Sequence, residues 1–182
     1  MNIFLKKTQT TVYSPHQKSF TRLELDMFIG TGWDIHKHSN LETLKLGGLS
    51  FEEDGFEAHS DGDILLHALI DAILGATSNK DIGHYFPSNE LTPENISSME
   101  MLQTILKKIN FSRYKINNID ITIVSQKINI SSKRDAIEKN VATLLETEET
   151  KVNVKGKSVD HLGLIGSNEA SAALVSILLS NA

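Results

Sequence analysis

Apolar and polar positions change period several times along the 182-residue chain. Residues 27–37, MFIGTGWDIHK, mix aromatic and β-branched residues with glycines, which predicts a strand whose residues two apart share a face. Asp34 and His36 then point one way, Trp33 and Ile35 the other. Residues 44–54, LKLGGLSFEED, predict a shorter second strand or hairpin arm bent at Gly47-Gly48. From Ile64 to Leu74 the chain is apolar nearly all round, which predicts a buried helix over 61–74. Ser60 is its expected N-cap, Asp61 and Asp63 suit its positive end, and Gly75 is a plausible stop. Residues 97–109 read as an amphipathic helix ending in lysines, and 131–146 as another helix. Residues 118–125 alternate as a strand, 151–157 read as a strand, and 167–180, SNEASAALVSILLS, as a closing helix. Pro87 and Pro93 bracket a loop between the first two helices. Strands separated by helices predict an α/β chain, an α+β sandwich with one sheet and helices on one of its faces.

Composition narrows the partners. Hydrophobic residues make up 40% and charged residues 23%, ordinary values for a globular protein. With a formal charge of −5 and no long basic run, sequence-independent nucleic-acid binding is disfavoured. No apolar stretch approaches the ~20 residues of a membrane span, so no membrane partner is expected. There is no cysteine, so any metal must be held by histidine and carboxylate. The first 23 residues carry Lys6, Lys7, Lys18 and Arg22, six Ser/Thr and no acid. Residues 1–26 therefore read as an N-terminal extension, either a linker or a targeting remnant, ahead of a single domain over 27–182. The expected compartment is the cytoplasm, or a plastid if the extension is a transit peptide.

Candidate chemistry begins with Asp34 and His36 on one strand face. The predicted helix adds Asp63, His67 and Asp71, spaced i, i+4, i+8 on one stripe. That stripe is either the solvent edge of a core helix or a working face; solvent edges favour Lys, Glu and Gln, and this one has none. His67 with Asp34 and His36 makes two imidazoles and a carboxylate, the three-ligand layout of a catalytic zinc site with an open fourth position.

The segments DIH, HSDGDILLHALIDAILGA and DIGHYFP, in this order, resemble the signature segments of the 2-C-methyl-D-erythritol 2,4-cyclodiphosphate synthase family. The resemblance runs from about Met27 to the C-terminus, with VNVKGKSVDHLGLIGSNEA matching more loosely. It implies a small α/β domain assembled as a homotrimer, with active sites between subunits. The implied reaction turns 4-diphosphocytidyl-2-C-methyl-D-erythritol 2-phosphate into the cyclic diphosphate and releases CMP, a step in non-mevalonate isoprenoid (terpenoid) biosynthesis. Asp34, His36 and His67 would hold Zn²⁺, one per subunit. His59 and Ser60 sit where the family contacts the attacking phosphate, and Asp63 is read as orienting a ligand imidazole. Asp81, Ile82 and Gly83 match the ribose-receiving loop, and Phe86 either contacts substrate or closes the loop as a core aromatic. The backbone from Ser125 through Ser131 would cradle cytosine, although Ile128 and Asn129 stand where the family usually has Pro-Lys.

Further along, Lys155 is kept, Ser158 stands for a transition-state threonine, and Asp160 for a glutamate that helps hold Mg²⁺ or Mn²⁺ with the substrate diphosphate. Lys157 replaces a threonine and is either a diphosphate contact or a surface lysine. Ser167 takes the place of an arginine near the threefold. Two rival readings are a zinc hydrolase on the same ligands and a non-catalytic zinc-stabilised trimeric scaffold, kept open by the departures at 128–129 and 156–160. Because some members are bifunctional, residues 1–26 are also a candidate junction with the pathway cytidylyltransferase.

Overall fold

The computed structural model describes residues 26–87 and 96–182. The expectations for residues 1–25, and for the loop between Pro87 and Pro93, lie largely outside them. Five strands are described: β1 (Met27–Leu46), β2 (Leu49–Phe56), β3 (Tyr114–Val124), β4 (Val152–Lys157) and β5 (Ala170–Asn181). The helices are α1 (Ile64–Ala76), α2 (Ile82–Tyr85), α3 (Ser98–Lys108), α4 (Arg134–Leu144) and α5 (Gly163–Gly166). The strands form one sheet in the order β2-β1-β5-β3-β4, antiparallel except for the parallel pair β3/β4, which α4 connects.

The largest departure from expectation is at the C-terminus. Residues 170–181 form β5 at the centre of the sheet, not a closing helix. Ala and Leu favour helices in isolation, but this segment is hydrogen-bonded on both edges, to β1 and to β3. Tertiary pairing overrides local propensity. The other strand expectations hold with shifted ends. β1 runs on to Leu46, and Gly47 and Gly48, with φ of +63° and +79°, make the two-residue turn into β2.

α1 lies directly on β1. A Cβ on Gly30 or Gly32 would come within 1.9 Å of the carbonyl oxygens of Ala72 and Ala68 respectively, so only glycine allows this approach. Most of α1 is fully buried, and its side chains join those of α3, α4 and one sheet face in a single core. On the opposite face Ile29 is 71% and Trp33 57% exposed, with Met27 and Leu174 also open to solvent. Trp33 pairs with Leu174 across β1/β5. Trp33 thus points away from α1, as the strand alternation predicted.

Candidate metal centre and substrate site

Because Gly30 and Gly32 face α1, the next residues in the same alternation, Asp34 and His36, continue along that face. They meet His67, one turn into α1. Asp34 Oδ2 lies 3.1 Å from His36 Nε2 and 3.0 Å from His67 Nδ1. One ligand atom from each of the three lies within 4.8 Å of the others, a spacing that can hold a metal ion. Burial alone would raise the Asp34 carboxyl, but hydrogen bonds and charge from His36 and His67 outweigh it and hold it well below the usual carboxylate range. The carboxylate is therefore ionised and available as a ligand. Two imidazoles and a carboxylate suit zinc.

The far nitrogen of His67 is also provided for. Nε2 lies 3.1 Å from Ser60 Oγ and 3.0 Å from Ser98 Oγ, so it can carry its proton there while Nδ1 faces Asp34 and His36. Ser98 is fully buried at the start of α3; its hydroxyl donates to Asp61, and its N–H donates to the same Asp61 oxygen at 3.1 Å. Ser98 was not legible as a site residue, because one serine before an amphipathic helix reads as a cap. The cap is its neighbour Ser97, in a capping box with Glu100.

Asp63 departs from expectation. It does not orient an imidazole: it is the N-cap of α1, fully buried, accepting from Gly47 N at 3.0 Å, Gly48 N at 2.7 Å and Leu66 N at 3.0 Å. Burial pushes its carboxyl up against the pull of these bonds. Asp63 thus fixes the β1/β2 turn to the helix that bears His67. Ser60, the expected N-cap, instead accepts from Gly62 N at 3.2 Å and faces His67. Asp71, at the other end of the stripe, is half-buried, its carboxyl raised chiefly by burial. It accepts from Ile82 N at 2.7 Å, which anchors α2 to α1.

The other expected residues fall in two groups. Asp81 caps the single turn α2 by accepting from His84 N at 2.8 Å, with Gly83 exposed and Ile82 and Phe86 partly buried against the core. Asp81, Ile82 and Gly83 therefore sit at a helix start rather than in an open loop. The second group lies where β3 and β4 end. Ser125 is buried, and its N–H donates to Lys157 O at 3.0 Å. Ile128 and Ile130 are also buried, while Asn129 and Ser131 are exposed. Lys157, Ser158 and Asp160 are exposed beside them, Asp160 in a left-handed conformation at φ +50°. His161 N–H reaches Gln126 Oε1 at 3.4 Å, joining the two loops. His59 is exposed on the stretch between β2 and α1, one residue before Ser60. Ser167 Oγ donates to Glu169 Oε1 at 2.6 Å. Among the described residues, no helix is long and apolar enough to cross a membrane.

Known proteins are similar to this chain in sequence and fold. The profile of the YgbB family matches residues 27–180. The chain is 40% identical over 152 residues to a 2-C-methyl-D-erythritol 2,4-cyclodiphosphate synthase of Caldicellulosiruptor bescii, covering 83% of this chain and 97% of that one. It is 41% identical over 155 residues to a bifunctional IspD/IspF enzyme of Campylobacter lari, covering 85% of this chain but only 42% of that longer protein. Among solved structures, IspF of Plasmodium falciparum in complex with CDP superposes with a TM-score of 0.74 at 39% identity, covering 85% and 96% of the two chains. The glycine-seated helix, the Asp34–His36–His67 cluster and these relatives agree: the chain belongs to the YgbB family of 2-C-methyl-D-erythritol 2,4-cyclodiphosphate synthases.

Proposed function

We propose that the chain is a metal-dependent cyclising lyase that converts 4-diphosphocytidyl-2-C-methyl-D-erythritol 2-phosphate to the cyclic diphosphate and CMP, within isoprenoid biosynthesis in the cytoplasm. The observation that carries this is the convergence of Asp34, His36 and His67 beside Ser60. In the reaction an oxygen of the 2-phosphate attacks the β-phosphorus, the bond from that phosphorus to the CMP oxygen breaks, and CMP leaves with the electron pair. Such a transfer requires alignment and charge neutralisation rather than a covalent protein intermediate.

Asp34, His36 and His67 would hold Zn²⁺. When bound, the ion supplies a Lewis acid and template for phosphate oxygens. His59 and Ser60 contact the attacking phosphate. Ser60 is held in place by its contact with His67, and His59 is free to turn toward substrate. Asp81, with Ile82 and Gly83, receives the ribose, and Asp71 steadies that turn through the Ile82 N–H. Phe86 packs against the core beside it. Backbone groups from Ser125 to Ser131 cradle cytosine. Ser158 donates a hydrogen bond to charge that builds on the phosphoryl oxygens. Lys157 and Asp160 serve the diphosphate, Asp160 together with Mg²⁺ or Mn²⁺.

The same reading makes the protein a homotrimer, with the zinc end and the nucleotide end of each site contributed by neighbouring chains. The open apolar face formed by Ile29, Trp33 and Leu174 supports this, since such a patch marks a contact surface. The bifunctional relative supports a connection to the cytidylyltransferase that makes the substrate precursor. Purified protein, incubated with substrate, zinc and magnesium, is expected to release CMP and the cyclic diphosphate in equal amounts. His67→Ala is expected to lose bound zinc and turnover together. No CMP from folded, zinc-loaded protein would overturn the enzyme reading in favour of the scaffold.

A further inference from the structure

We infer that His38, Ser171 and Ser125 form a buried positioning chain that fixes the cytosine loop and the start of the Ser158 loop to the strand bearing the metal ligands. The nucleotide half of this inference rests on the proposed role of residues 125–131. Ser171 is fully buried in β5 and Ser125 nearly so at the end of β3, yet both carry hydroxyls amid apolar neighbours. Ser125 Oγ accepts from Lys127 N at 3.1 Å and Ile128 N at 2.9 Å. Ser171 Oγ donates its proton to the same Ser125 oxygen at 2.8 Å. Ser171 Oγ is then left to accept from the Nε2–H of His38, at 2.9 Å.

The three links lie on β1, on β5 and directly after β3. His38 is two residues beyond His36 on β1 and is held by its N–H to Glu169 O at 2.8 Å and by its ring against Phe56, with centroids 5.0 Å apart. Ser171 pairs with His36 across the β1/β5 ladder. Ser125 directly follows β3, and its own N–H donates to Lys157 O at the end of β4, one residue before Ser158. One run of side chains thus crosses β1, β5 and β3 and reaches β4. Ser125 lies at the junction, fixing the turn 125–128 with its hydroxyl and the approach to Ser158 with its backbone. In this chain the turn has Ile128 and Asn129 and no proline, so its φ angles are not restrained by a ring. The hydroxyl supplies that restraint instead.

The test uses full-length, zinc-loaded protein and the variants Ser171→Ala and His38→Phe; the second keeps a ring against Phe56. Amide exchange at Lys127 and Ile128 is expected to speed up about tenfold in either variant, the scale for a lost buried partner. CMP affinity by calorimetry and KM are expected to weaken by about the same factor. kcat is expected to stay within twofold and zinc stoichiometry at one per chain. The double variant should be no worse than the single variants, because both remove links of one chain. Unchanged exchange at Lys127 and Ile128 would overturn the proposal, as would a fall in Tm with CMP affinity intact. Faster exchange with unchanged CMP affinity would move the nucleotide elsewhere and equally overturn it. Turnover and CMP binding of the unaltered protein test the proposed activity on its own.

Discussion

Removing the Ser98 hydroxyl should weaken zinc binding without touching a ligand. With an ion held among Asp34, His36 and His67, Nδ1 of His67 would give it its lone pair, so the proton of the ligating ring would sit on Nε2. That N–H has two oxygens within reach, Ser98 at 3.0 Å and Ser60 at 3.1 Å. Ser98 is the stronger acceptor, because its own proton is given to the Asp61 carboxylate, which makes its oxygen more electron-rich. Loss of such an outer partner typically costs 10–100-fold in metal affinity. Ser98→Ala leaves Ser60 in place, so the lower end is expected, about tenfold, or roughly 1.4 kcal/mol. Ser60→Ala together with Ser98→Ala leaves the N–H with neither hydroxyl and should approach the upper end, about 100-fold. Asp61→Asn keeps an oxygen for the Ser98 hydroxyl and N–H and removes only the charge, so it should cost less than Ser98→Ala. Competition for zinc against a chromophoric chelator, at fixed pH and with Tm as a control for folding, reads these shifts. Zinc affinity of Ser98→Ala within twofold of the parent, in folded protein, would refute the reasoning and reduce Ser98 to a packing residue.

Trp33→Glu should place a charge in the open sheet face and shift the light-scattering mass from three chains to one chain of 20.2 kDa; a trimer that persists would move the interface elsewhere. Ser158→Ala should lower kcat by about 10²-fold with KM nearly unchanged, the pattern of a donor used in the transition state. Asp160→Asn should raise the magnesium concentration needed for half-maximal turnover, since a neutral amide is a poorer ligand for a hard cation; silence in both variants would remove this loop from catalysis. Asp71→Ala should loosen α2 by freeing the Ile82 N–H and weaken CMP binding while zinc stoichiometry holds, which calorimetry and metal analysis can separate.

The metal cluster was legible because it follows from two local periods. Alternation on β1 puts Asp34 and His36 on one face, and an almost uniformly apolar helix makes its single imidazole, His67, conspicuous. The polar stripe on that helix was seen, but its roles were not, since a carboxylate's partner depends on what packs against it. Asp63 turned out to hold a hairpin and Asp71 to hold α2. Ser98 and Ser171 gave no signal, because a lone serine acquires a role only when distant segments bring it a partner.

The sequence by itself determined the buried helix, the hairpin at Gly47-Gly48 and the three candidate ligands, because backbone geometry and side-chain period are local properties. Only the tertiary structure decided that residues 170–181 are a central strand, because hydrogen bonding on both edges outweighs the helix preference of Ala and Leu. It also decided which hydroxyls and carboxylates support the site, since a buried polar group must find its partner wherever the fold supplies one.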